Sequence, residues 1–326
     1  MRMITGWWNP PGLVGLLAAC LALQGAATEA GEPTRFQYTE VHMGLQTRVV
    51  LYASDERTAR SAAAAAFRRI SELDEVMSDY RASSELMRLC DRAGAGPVRV
   101  GADLMRVLSR AQQLAERSDG AFDVTCGPVV ALWRRARREH RLPDAATLSS
   151  ARALVGWRNL VLDRTRREVE LKLPGMRLDL GGIAKGSACE AALAVLRRQG
   201  AARAMVEMGG DIALGDAPPG RSGWEIEIPV AGDSPARLRL RNCAVSTSGD
   251  TEQYVELGGL RYSHIVDPRT GLGLTSRIAV TVIAPSGDLS DGLSTAVSVL
   301  GEEAGRALAS RYRGVRVFVR YAAGVR

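Results

Sequence analysis

"MRLDLGGIAKGSACEAALAVLRRQG", Met176 to Gly200, decides which kind of fold this chain can adopt. A short apolar run, Met176 to Leu180, enters a pair of glycines. From Ile183 or Ala184, apolar residues recur at helical spacing until Gly200 closes the pattern. The run reads as a strand, which puts Asp179 at or near its end. Gly181 and Gly182 accept backbone shapes that other residues resist and let a ligand approach closely. The helix that follows turns its free N–H groups back into the loop, and Lys185 adds a full charge, so the geometry is that of an anion site. A plain strand-to-helix turn with a structural aspartate accounts for the segment equally well. The string fits neither G-x-G-x-x-G nor G-x-x-x-x-G-K-[ST], which excludes a Rossmann turn and a mononucleotide P-loop.

Towards the N-terminus, "RFQYTEVHMGLQTRVVLYA" (Arg35–Ala53) alternates and is rich in β-branched residues, predicting a strand or a hairpin centred on Gly44. "DERTARSAAAAAFRRISELDEVMS" (Asp55–Ser78) predicts a helix capped by Asp55. Residues 79–100 read as irregular, 102–117 as a helix, "SDGAFDVTCGP" (Ser118–Pro128) as a loop, and a further helix starts near Pro128. After a short helix near Thr147, short strands dominate, with "RLRLRNCAVSTS" (Arg237–Ser248) among them. A helix pair from about Leu289 to Tyr312 and a last strand, "VRVFVRY" (Val315–Tyr321), complete the chain. Helices early and strands late predict an α+β fold in one compact unit, not a doubly wound parallel sheet. No internal repeat marks a solenoid or propeller.

Hydrophobic residues make up 46% of the 326, charged residues 24% and aromatics 5%, so the core should rest on aliphatic side chains. The formal net charge of +7 is almost all arginine; Lys172 and Lys185 are the only lysines. The densest basic run, "WRRARREHR" (Trp133–Arg141), reads as a solvated helix face. With no aromatic ladder or groove-reading motif, nucleic acid is not an expected partner.

Residues 1–31 read as a targeting segment: Arg2 precedes the apolar run "GLVGLLAACLALQGAA", which is short for a membrane span. "LAAC" ending at Cys20 also fits a lipoprotein box, so signal cleavage and lipidation of Cys20 both stand open. Either route exports the chain. The folded unit is expected over residues 32–326. Cys90, Cys126, Cys189 and Cys243 form no C-x-x-C pair and allow three disulfide pairings. The three histidines have no zinc-ligand spacing with them.

Several segments carry groups suited to chemistry. Asp291 and Thr295, four apart on the "DGLSTAVSVLG" helix, share one face and offer hard oxygens of the kind Mg²⁺ takes. An ordinary helix start, capped by Asp288 or Ser290, explains them as well. His264, in "RYSHIVDPRTG", is a candidate general base or a hydrogen-bonded structural histidine. Asp211, after Gly209 and Gly210, is a candidate cap or sugar-hydroxyl ligand. Phe122 either belongs to a binding loop or anchors that loop in the core.

Taken in order, "DGAFDVTCGPVVALW", "DLGGIAKG", "GGDI", "STSGD", "RYSHIVDPRTG" and "DGLSTAVSVLG" resemble the FAD:protein FMN transferases, the ApbE-type periplasmic flavin transferases. The resemblance runs from about Val41 to about Gly301. It implies a T-fold-like α+β architecture, FAD as substrate and Mg²⁺ as cofactor. The implied reaction joins FMN through a phosphoester to a Ser or Thr of a target protein and releases AMP. The implied target is a subunit of a membrane redox complex on the periplasmic side; this chain itself would contact the membrane only through a lipid on Cys20, where that route is taken. Carried over residue by residue, the resemblance implies flavin-nucleotide contacts at Met43 and Tyr80. It implies an adenosine loop at Ala121, Phe122 and Asp123, and FAD contacts at Asp179 and Lys185. Metal ligands are implied at the Gly182 carbonyl, Asp291 and Thr295, and the scissile-phosphate site at His264 and Ile265. Leu45, Val124, Thr251, Gly292 and Ser294 depart from the family pattern without removing an oxygen ligand. An FAD pyrophosphatase and a non-catalytic flavin-binding protein are the alternative readings.

Overall fold

The alternation near the N-terminus and the helical spacing around it build a sheet-and-helix core. In this computed structural model the described residues are 32–229, 236–249 and 254–322. The targeting segment with Cys20, and Thr251, lie outside them. A hairpin opens the fold, β1 (Thr34–His42) and β2 (Leu45–Ala53), turning at Met43 and Gly44 with positive φ. Helix α1 (Glu56–Met77) follows; Asp55 accepts the Thr58 N–H at 2.9 Å, satisfying a donor the first turn leaves open. Its buried stripe, from Ala59 through Ala66 to Ile70 and Leu73, keeps one face apolar, which packs mainly on the later helix Ala184–Arg198 and also on β1 and β2.

Residues 79–100 are more regular than expected: Ser84 caps α2 (Glu85–Cys90), and β3 (Val98–Arg99) follows. Next come α3 (Ala102–Arg117), α4 (Gly127–Glu139), α5 (Ala145–Arg152), β4 (Leu160–Asp163) and β5 (Glu168–Leu171). The predicted strand at Met176–Leu180 is not one. The segment is extended but pairs irregularly: Asp179 donates its N–H to the Val124 carbonyl at 2.8 Å, and Leu178 to the Cys90 sulfur at 3.3 Å. Its neighbours are a single 3-10 turn (Val124–Cys126) and the end of α2, which offer no ladder, so an apolar sequence buries itself without joining a sheet.

Helix α6 (Ala184–Arg198) leads to β6 (Ala204–Met208), β7 (Asp211–Leu214) and β8 (Trp224–Ile228). Arg237–Ser248 is two strands, β9 (Ala236–Leu240) and β10 (Cys243–Gly249), broken at Asn242, where φ is 50°. Two small hairpins follow, β11 (Tyr254–Leu257) with β12 (Leu260–Ser263), and β13 (Val266–Asp267) with β14 (Leu272–Gly273). The chain closes with β15 (Ile278–Ala284), α7 (Gly287–Leu300), α8 (Glu302–Ala309) and β16 (Arg316–Tyr321). Helix α7 starts before the predicted caps, at Gly287 with Ser286 in the N-cap position, and Asp288 instead pairs with Arg110 at 3.2 Å.

Among the described residues the main sheet has seven strands, ordered β1-β2-β6-β7-β10-β15-β16, every pair antiparallel. The main apolar core joins α1, α3, α6 and α7 to inward residues of this sheet such as Val49, Val206 and Val280. The β8–β9 hairpin packs with other sheet residues, where Trp224 and Ile226 meet Val50, Leu214 and Val245. Residues from 33 onwards form one unit of α+β class, as expected. Cys90, Cys126, Cys189 and Cys243 are all free thiols, so no disulfide staples this core.

Candidate active site

Two glycines set the centre of the site. A Cβ on Gly186 would overlap the Gly287 carbonyl oxygen, and one on Gly287 would overlap that of Gly186. The first turns of α6 and α7 therefore touch backbone to backbone. That contact carries Asp291, one turn into α7, to the Gly186 N–H at 3.0 Å. Asp291 is 2% exposed. Burial, reinforced by the Asp211 charge, pushes its pKa up to about 7. The Lys185 ammonium lies 2.9 Å from Asp211 and 3.3 Å from Asp291, and donates to the Gly181 carbonyl at 3.2 Å. Burial works against its charge, but Asp211 and Asp291 outweigh it and hold its pKa above the ordinary lysine value. Thr295 stands one further turn along α7. A Cβ on Gly182 would sit 3.0 Å from its Oγ1 and 3.3 Å from the Phe122 ring, so glycine gives the chain its closest approach there.

Asp179 faces the site from the other side of the glycine loop. It accepts the Gly181 N–H at 2.8 Å and an Arg134 N–H at 2.7 Å. Burial, with the neighbouring Asp79 charge, holds Asp179 above the usual carboxylate range. Arg134 also bonds Asp79, and its guanidinium lies 4.5 Å from the Tyr80 ring centre. The solvated-face reading of the arginine run thus holds for exposed Arg135 and Arg138 but not for Arg134. Its signal was in the spacing: Val130, Trp133, Arg134 and Arg137 follow i, i+3, i+4, i+7 and share one stripe. Arg134→Met leaves the Asp179 carboxylate buried without its cation. It should cost about 3 kcal/mol of stability in urea unfolding and weaken FAD binding, read by flavin fluorescence.

The loop before α4 is held by Asp123. One oxygen accepts the Thr125 N–H at 2.8 Å and its hydroxyl at 2.7 Å; the other accepts the Trp157 N–H at 2.8 Å. Asp123 therefore shapes the loop with both oxygens, and Ala121 and Phe122 are buried beside it. His264 sits in the bend between β12 and β13. Trp133 fixes that region on α4 by donating its indole N–H to Gly271 at 2.8 Å and packing 4.9 Å from the Tyr262 ring. The Ile265 N–H bonds the Ser263 hydroxyl at 3.1 Å.

All twelve residues expected at the site, scattered from Met43 to Thr295, line one cavity of about 1300 Å³. Small-molecule sites are usually roughly 300–1,000 Å³, so this one suits a dinucleotide. The β1–β2 turn and the Gly209–Gly210 turn border it too. Sequence reasoning missed Arg134, and also Asp211 as the partner of Lys185.

The donor set fits a hard divalent cation. Among the described residues no three His, Cys, Asp or Glu side chains cluster as metal ligands. Magnesium needs only one or two carboxylates and otherwise takes neutral oxygens and substrate phosphate. Asp291 and Thr295 supply the first kinds. Asp211 and Asp291 also outnumber the single Lys185, and Asp211 keeps a buried oxygen with no hydrogen-bond partner. That surplus of negative charge favours a cation.

A family profile described as "ApbE family" matches residues 43–319. The chain is 34% identical over 277 residues to an FAD:protein FMN transferase of Klebsiella pneumoniae (strain 342), covering 83% of this chain and 84% of that one. It is 32% identical over 323 residues to one of Treponema pallidum (strain Nichols), covering 93% and 89%. The apo flavinyl transferase ApbE of Pseudomonas stutzeri has a TM-score of 0.81 at 31% identity, over 90% of this chain and 93% of that one. The flavin transferase ApbE of Vibrio cholerae gives 0.77 at 29% identity, over 89% and 98%. Motif order, architecture and a profile that spans most of its length agree, and this chain belongs to the ApbE family.

Proposed function

We propose that the protein moves FMN from FAD to a Ser or Thr hydroxyl of a target protein and releases AMP. One observation carries this reading: the twelve residues that the family motifs single out converge on one cavity of dinucleotide size. The relatives named FAD:protein FMN transferase agree with it.

The target hydroxyl attacks the phosphorus on the FMN side. The bond from that phosphorus to the oxygen bridging the two phosphates breaks, and AMP leaves with the oxygen. His264 lines the cavity and is the group we assign to take the hydroxyl proton. The Gly182 carbonyl, Asp291 and Thr295 would hold Mg²⁺. When bound, that ion supplies positive charge to the pyrophosphate. Lys185 and the first-turn N–H groups of α6 add fixed positive charge on the same side. Asp123 holds the Ala121–Phe122 loop, and Arg134 holds Asp179, so both contacts are set before FAD arrives.

Export to the periplasmic side rests on the Arg2 and apolar-run pattern, with lipidation of Cys20 as its anchored form. Among the described residues no helix is long and apolar enough to cross a membrane. A subunit of a membrane redox complex is the target class that the family resemblance favours.

The test incubates the protein with FAD, Mg²⁺ and a target domain bearing an Asp-x-x-(Ser/Thr)-Gly-Ala-Thr segment. Covalent flavin fluorescence on the target supports the transferase. FMN and AMP without labelling identify a pyrophosphatase, and intact FAD identifies a binder. His264→Asn should retain FAD affinity and slow labelling by about 10²-fold; an unchanged rate removes His264 from the proton transfer.

A further inference from the structure

Asp211 opens β7 directly after the Gly209–Gly210 turn, whose φ values of 55° and 89° are left-handed. Its register partners are Met208 on one side and Ser246 on the other, so its place is fixed by the middle of the sheet. The sequence left it as a helix cap or a sugar ligand. It is neither: at 3% exposure it has no reach into solvent-accessible space, and its side chain faces α6. Its Oδ2 makes the shortest ion pair of the Lys185 ammonium, 2.9 Å against 3.3 Å for Asp291. Its Oδ1 is buried and has no hydrogen-bond partner. An orphaned carboxylate oxygen at such depth is costly, so its persistence calls for a role.

We propose that Asp211 is a positioning residue that takes over the Lys185 ammonium when the Asp291 oxygens turn to a divalent cation. The inference rests on the cation reading of Asp291 given above. A cation at Asp291 repels Lys185, which bonds that same carboxylate in the cation-free protein. In a buried site this repulsion is poorly screened. Lys185 needs another anion within a small side-chain movement, and Asp211 already touches it. The free Oδ1 accepts the N–H that Asp291 gives up. Lys185 thereby stays charged and fixed beside the phosphates while Asp291 is released. With asparagine at 211, Asp291 is the only carboxylate left to Lys185. Binding a cation then breaks a buried ion pair with nothing to replace it.

The test follows Mn²⁺ binding by the loss of its free-ion EPR signal, with and without FAD, on the whole protein. Asp211→Asn is expected to weaken Mn²⁺ binding by about 10- to 100-fold, the usual effect of losing a group that supports a metal ligand. Its midpoint for Mg²⁺ activation of flavin transfer should rise in parallel, with little change at saturating Mg²⁺. Wild-type Mn²⁺ affinity in a folded Asp211→Asn protein overturns the proposal. Asp291→Ala is measured beside it: loss of Mn²⁺ binding there supports the cation site, and unchanged binding overturns the site itself. Should Asp211→Asn fail to fold, the Lys185→Met, Asp211→Asn double variant removes the buried pair together. It should bind Mn²⁺ at least as tightly as wild type, because nothing then competes for Asp291. Loss of binding in that variant overturns the proposal as well.

Discussion

Asp291→Asn should abolish nearly all flavin transfer while the protein stays folded. The amide keeps the shape of the side chain and an oxygen for the Gly186 N–H, so the crossing of α6 and α7 persists. Lys185 keeps Asp211 as its partner. What disappears is the one charged oxygen ligand that we assign to the cation, facing the pyrophosphate. Removing one such preorganised charge slows enzymes by about 10²–10³-fold, and single-turnover labelling of a target domain should read a loss at the top of that range. FAD affinity should change much less. Stability gives an independent readout. In cation-free protein the Asp291 pKa is raised from 3.8 to about 7. The folded state therefore holds a proton that the unfolded chain has released, and stability falls as pH rises between those values. Asn carries no such proton, so the variant should lack that slope in chelator and gain on wild type as pH rises from about 4 to 7, with no further gain above. Full-rate transfer by the variant would overturn the metal assignment.

Much of this was legible in the sequence because it depended on local rules. Glycines followed by helical spacing fixed the start of α6, and four-residue spacing put Asp291 and Thr295 on one face. Alternation around Gly44 left a strand or a hairpin, and the structure makes it a hairpin. The losses share one cause, which is that the deciding partner lies far along the chain. Met176–Leu180 has strand-like composition but lies against the 3-10 turn at Val124 and Cys90 at the end of α2. Arg134 shares a helix stripe with Val130, Trp133 and Arg137, but the carboxylates that hold it, Asp79 and Asp179, lie 55 and 45 residues away. Asp211 follows a turn and has the outward signs of a cap; its role appears only when β7 is laid beneath α6. Periodicity can mark the face a charged side chain takes, but it does not name the distant partner that closes on it.

Gly186→Ala should be among the most damaging methyl additions at any described glycine. The added Cβ has no space: it would overlap the Gly287 carbonyl, approach that carbonyl carbon to 2.7 Å and the Asp291 Cβ to 2.8 Å. None of these atoms is the end of a flexible side chain. Relief requires α6 and α7 to separate, and both are packed into the main core through Ala188, Leu193, Leu293 and Val297. Overpacking usually costs about 1–3 kcal/mol where side chains can yield. Here backbone must move, so the expected loss exceeds about 4 kcal/mol, an exceptional value for a single substitution. Urea unfolding would read it, and a loss below 1 kcal/mol would show that the helices do not cross this closely. Gly182→Ala separates fold from function. Its Cβ meets the Thr295 hydroxyl at 3.0 Å and the Phe122 ring at 3.3 Å, contacts that side-chain rotation can relieve. That variant should fold, yet with Thr295 displaced it should need more Mg²⁺ for transfer. The same glycine-rich loop thus has two duties: Gly186 lets the helices touch, and Gly182 lets the chain reach the oxygen that their contact puts in place.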